Sequence, residues 1–189
     1  MTQAIGLPAT AEAGPGRQFE SRLHFLRSER RVALLLLVAN FPYLLWWLWQ
    51  LFKFAPRKWL PRARSFWWIL MPVYGFAVVW RTVGDLVDKE RDLTGAATTS
   101  AKVTWWYILS SGYAGSVDLP GWLDAAVAVV NAAFVAIFGF KVQTSANSYL
   151  RAKYQGATTR GWTAGEVTAT ILGVLLSALA VAGALQPSS

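Results

Sequence analysis

The chain has 189 residues, 54% of them hydrophobic and 15% charged, against about 25% charged in an ordinary globular domain. Eighteen basic and ten acidic residues give a net charge of +8, with no Cys and a single His. That composition excludes intrinsic disorder for most of the chain, and also disulfide scaffolds, Fe–S clusters, thiol nucleophiles and ordinary structural zinc sites.

The positive charge sits in short blocks between long uncharged windows. A nucleic-acid surface would spread it over one folded face, so no nucleic-acid partner is expected. The pattern fits an all-α integral membrane protein whose basic loops face anionic lipid.

In chain order, residues 1–17 are small and broken by Pro and Gly, and read as a disordered tail. Residues 18–31 place Phe19, Leu23 and Leu26 at helical spacing among charges. This predicts a short amphipathic helix lying on the membrane, or a frayed extension of the segment that follows. Residues 32–187 then form a single helical membrane domain. Its five expected segments cover residues 32–53, 65–90, 102–117, 120–150 and 163–186. A helix needs about 20 residues to cross a hydrocarbon core of about 30 Å. The first and last uncharged windows are that long; the three between them are shorter and need flanking ions to reach the interface. Thr163 with Glu166 three residues on, between Trp162 and Val167, predicts a capping box at the start of the fifth segment. Arg81, Asp85 and Lys89, with Asp88 and Asp92 beside them, predict a solvated ladder extending the second helix.

Two topologies compete. Five full crossings with a cytoplasmic N-terminus leave the block Lys53, Arg57, Lys58, Arg62 and Arg64 on the wrong side of the positive-inside rule. Alternatively, the first segment turns back at Asn40-Phe41-Pro42 and the second at Met71-Pro72. Two proline-broken re-entrant hairpins then put every basic residue in the cytoplasm.

Paired tryptophans (Trp46-Trp47, Trp67-Trp68, Trp105-Trp106) predict an interfacial aromatic belt. The intramembrane polar candidates are Asn40 and Asn131, followed by Ser110-Ser111 and the Gln143/Asn147 pair, which reads as a polar face among headgroups. Ala128, Ala132 and Ala136, and likewise Ala169, Gly173 and Ser177, recur every four residues. Such stripes admit close backbone approach and predict that segments four and five pack as an antiparallel pair. The Lys53–Arg64 block suits anionic headgroups. No catalytic, metal or cofactor motif is present, so neither enzyme activity nor a cofactor is expected.

Pro42-Tyr43, Trp46-Trp47, Arg64-Ser65-Phe66-Trp67, Met71-Pro72 and Tyr74 resemble a group of uncharacterised bacterial multi-pass membrane proteins. Lys141-Val142-Gln143, Asn147, Trp162-Thr163 and Glu166 are similar to the same group's C-terminal half. The resemblance implies a bacterial cytoplasmic (inner) membrane protein and supplies no activity. The leading expectation is a non-enzymatic accessory or scaffold subunit of a larger membrane complex, with a membrane-protein partner or a second copy. The alternatives are a small transporter or channel component, and an anionic-lipid-binding or membrane-shaping protein.

Overall fold

The computed structural model describes residues 25–54, 72–112, 121–154 and 157–184. The tail over 1–17, residues 18–24 of the 18–31 segment, and Arg57, Lys58, Arg62 and Arg64 lie outside the described residues. Among the described residues five α-helices follow in order: α1 (Glu29–Phe54), α2 (Pro72–Thr94), α3 (Thr104–Gly112), α4 (Gly121–Lys153) and α5 (Ala164–Ala184). A 3-10 turn, Ala101–Val103, precedes α3. The fold is all-α, with no strand among the described residues. One helix, over Leu123–Lys153, is long and apolar enough to cross a membrane by length and composition; Ala164–Leu179 is a shorter apolar stretch.

α1 decides the architecture. As a straight rod its 26 residues would measure about 39 Å. Its contacts do not allow a straight rod. Asn147 of α4 binds the start of the helix at Arg27 and Glu29, and Gly139, two turns back along α4, faces Val32 and Leu36. Val38 and Ala39 then meet Ser177 and Gly173 of α5. From there the order reverses. Tyr43 reaches Glu166, Trp46 lies on Gly165, and Trp47 comes back to Phe138 and Gln143. In a straight helix Trp47 would stand about 27 Å from Glu29, yet its ring is 6.1 Å from that of Phe25. The two arms of α1 therefore lie side by side, and the helix doubles back at Asn40–Pro42.

Pro42 supplies the cause. It has no N–H for the carbonyl of Val38, four residues back, and its ring clashes with an unbroken helical turn. The freed Val38 carbonyl instead accepts the Ser177 hydroxyl from α5 at 3.4 Å. A side chain from a neighbouring helix thus satisfies what the proline leaves open. Gly173 makes the turn possible from the other side: a Cβ there would collide with the backbone of Ala39.

The remaining elements build on α4. α2 and α3 run antiparallel, with Phe76 against Tyr107 at 5.7 Å, Trp80 against Trp105 at 5.8 Å and Gly84 opposite Ala101. Gly95, just past the end of α2, takes the left-handed conformation (φ 78°) of a helix C-terminus, and its N–H donates to Arg91 at 2.9 Å. Tyr107 and Trp106 fasten α3 to Phe138 and Phe134 of α4.

Several expectations need correction. α4 and α5 do not form a packed pair among the described residues; each packs on α1. The stripe positions divide accordingly: Ala169 and Gly173 are buried and Ser177 half-buried at α1, while Ala132 is buried, Ala136 half-buried and Ala128 exposed. The hairpin occupies the space that the two stripes would have closed. The described part of the third segment is α3, nine residues and about 14 Å of helix; residues 113–117 of the expected segment lie outside the described residues. Pro72 is the first described residue of α2; Met71 and the residues before it lie outside the described residues. Phe25–Ser28 is not helical, and Phe25, Leu26 and Arg27 are buried inside the bundle, so this stretch does not continue a surface helix.

Candidate functional site

Among the described residues, the buried polar side chains that bond between elements gather where α1 starts, α4 and α2 end, and α5 begins. We call this end the base. Three groups make it up.

The first is centred on Glu166, which is fully buried. Thr163 caps α5 as its sequence predicts, its hydroxyl accepting the Glu166 N–H at 3.3 Å. The Glu166 carboxylate does not complete the box by turning back to Thr163. Arg27 Nε and Arg31 Nη2 donate to its Oε2 at 3.3 and 3.1 Å, and the Tyr43 hydroxyl donates to Oε1 at 3.4 Å. One carboxylate thus ties both arms of the α1 hairpin to α5. The guanidiniums also stack on indoles, Arg27 on Trp46 at 4.7 Å and Arg31 on Trp162 at 4.9 Å. Arg27 Nη1 and Arg31 Nε are buried with no hydrogen-bond partner, so these rings and the carboxylate carry the compensation for the charge. Burial lowers the Arg27 pKa from its ordinary value; the adjacent Glu166 carboxylate opposes that shift.

The second group is an amide relay. Trp47 Nε1 donates to Gln143 Oε1 at 2.9 Å, and Gln143 Nε2 donates to the Phe25 carbonyl at 2.8 Å and to Asn147 Oδ1 at 2.9 Å. Asn147 Nδ2 donates to the Arg27 carbonyl and to Glu29 Oε1, each at 2.6 Å. Both NH2 groups donate both of their protons, and each amide carbonyl accepts one bond. Such a satisfied network positions the non-helical Phe25–Ser28 segment against α4. The third group is Glu90, which accepts the Ser145 hydroxyl and the Thr98 N–H, the latter at 3.1 Å, and pins the α2–α3 connection to α4.

The structure redistributes the predicted residues. Gln143 and Asn147 are not a headgroup-facing polar surface; they are buried at the helix junction. Asp85 leaves the solvated ladder expected of it for the interior, where Glu90 is also buried, while Lys89–Asp92 and Arg91–Asp88 remain exposed pairs at 3.3 and 3.6 Å. Trp47 leaves the belt for the core, whereas Trp49, Trp105, Trp106 and Trp162 stay exposed. Lys53 is exposed, with its ammonium 3.5 Å from the Trp49 ring centre. Asn131 is half-buried on α4; the Asn40 side chain lies outside the described residues. Ser110 donates to the Tyr107 carbonyl of its own helix at 2.7 Å.

Sequence reasoning missed Arg27, Arg31, Tyr43 and Glu166 as one unit. The available signal was Glu166 itself, an acid closing an otherwise apolar window, with no cation on its own helix to pair with. No cluster of three or more His, Cys, Asp or Glu converges among the described residues. Among the described residues, the contacts of the base join helix to helix. No family model, curated protein or solved structure matches the chain.

Proposed function

We propose that the chain is a non-enzymatic integral membrane protein of the bacterial cytoplasmic membrane, working as a scaffold or accessory subunit of a larger membrane assembly. The observation that carries this reading is how the polar side chains are used. Glu166, Gln143, Asn147 and Glu90 are consumed in joining helix to helix, while the outward faces of α4 and α5 are apolar, with Val129, Val130, Leu172, Leu175, Leu176 and Leu179 exposed. Buried polar groups that only hold the fold together, beneath a broad apolar exterior, suit a body that others dock against in lipid.

In this reading α4 and α5 cross the bilayer and α1 enters and leaves by the same face. Seating Leu123–Val142 in the hydrocarbon takes up about 30 Å of α4 and leaves Gln143–Lys153 at the headgroups with the polar base. The second hairpin of the re-entrant topology would turn near Pro72, at the far end of α2 from the base. The base faces the cytoplasm, since Arg27, Arg30, Arg31, Lys53, Arg151, Lys153 and Arg160 all belong to it. Lys53 then lies against anionic headgroups.

Purification from native membranes in a mild detergent, with mass spectrometry of the material that co-migrates, tests the scaffold role. A stoichiometric membrane-protein partner is the expected result. A monodisperse chain that runs alone would contradict it.

A further inference from the structure

The helices are not shared evenly between the two halves of the bilayer. On the base side, six helical arms lie together: both arms of α1, then α2, α3, α4 and α5. Away from the base only α4 and α5 continue among the described residues. The exposure pattern of α4 records this. Ala132, Val135, Phe138, Val142, Ala146 and Leu150 are buried at helical spacing, whereas Asp124, Ala125, Ala126, Ala128, Val129 and Val130 are all exposed. By helical rise from their contacts with α4, the turn of α1 lies roughly 10–12 Å, and the first residue of α2 and the last of α3 roughly 12–22 Å, inside the boundary set at Val142, around the midplane.

We infer that the molecule is a wedge, broad in the base-side leaflet and narrow in the other, and that it favours bilayers whose convex face is the base side. The geometry gives the scale. A helix about 10 Å across occupies about 80 Å², so the four extra described arms displace roughly 300 Å² more lipid from the base-side leaflet than α4 and α5 alone. A bilayer accommodates such an imbalance by expanding that leaflet, which bends it outward. The wedge is held open by identified contacts. Glu166 ties both arms of α1 to α5, and Ser177 and Gly173 seat the turn at Val38–Ala39. In the cell the convex face would be the cytoplasmic one, so the chain would gather where the membrane bulges toward the cytoplasm.

This inference rests on the re-entrant topology proposed above, and a single preparation tests the two separately. The purified chain, alone and carrying one fluorophore on Lys53→Cys, is reconstituted into giant vesicles of neutral and anionic phospholipid, from which thin tubes are drawn. An impermeant quencher reports which side the label occupies. Protein with its base outward is expected to be enriched several-fold in the tube over the parent vesicle, and protein with its base inward to be depleted. Equal density on tube and vesicle in both orientations would overturn the wedge and leave the topology standing. A fluorophore on the side opposite to one placed on Arg160→Cys would overturn the topology, and the wedge with it. The same measurement in purely neutral lipid separates shape from charge. Enrichment that survives supports the wedge; enrichment that vanishes assigns the sorting to the basic face and overturns the wedge.

Discussion

Replacing Glu166 with Gln keeps the shape of the side chain and removes its charge. Arg27 would then be buried without a counterion, and Arg31 would keep only its carbonyl partners Arg160 and Gly161. Breaking a buried pair on one side costs about 3–5 kcal/mol, because the surviving charge is stranded. Glu166→Gln is therefore expected to lower the thermal unfolding midpoint in detergent clearly, and Arg27→Met combined with Glu166→Leu to recover part of that loss. The glycines give a graded series by the same readout. Gly173→Ala drives a methyl into the Ala39 backbone, where nothing can swing aside, and overpacking of that kind costs about 1–3 kcal/mol. Gly139→Ala meets the flexible end of Leu36 and should cost less; Gly161→Ala meets nothing within 4 Å and should be neutral. Equal effects at all three positions would contradict the packing described.

At the scale of elements, the hairpin of α1 depends on one missing hydrogen bond and on the groups that replace it. Ser177→Ala removes the donor to the Val38 carbonyl and should cost about 1 kcal/mol. Pro42→Ala acts in the opposite sense on the local backbone. It restores the N–H and relieves a clash of about 3 kcal/mol in a continuous helix, which favours straightening. With Glu166→Gln loosening the second arm as well, part of the population is expected to expose Lys53→Cys to reagents on the face away from the base. Retention of every label on the base side would show that packing alone sets the bend.

Much at this scale was legible in the sequence. The helical class followed from the long uncharged windows, and the cap at Thr163 from capping chemistry. Asn40-Phe41-Pro42 marked where the chain could turn. The sequence could not tell which partner the small-residue stripes would meet. Ala, Gly and Ser at every fourth position permit close approach without naming the neighbour, and the returning arm of α1 took the place offered to a pairing of α4 with α5. The base was illegible for a related reason. Its members stand up to 139 residues apart, and Gln143 and Asn147 would look the same on a wet surface as at a buried junction.

For the whole molecule, one charged and hydrogen-bonded base collects the ends of the helices, and the apolar lengths of α4 and α5 rise away from it. The scaffold role and the wedge both follow only if α1 returns to the side from which it came. The absence of Cys makes that directly measurable, since any single cysteine introduced is the only thiol in the chain. The decisive experiment places one cysteine at Lys53 and, separately, one at Arg160, and labels intact sealed membranes with an impermeant thiol reagent from each face. The account predicts that both positions react from the same face and are protected from the other. Labelling of Lys53→Cys from the face opposite to Arg160→Cys would mean that α1 crosses the bilayer as a straight helix, and would contradict the account at its centre.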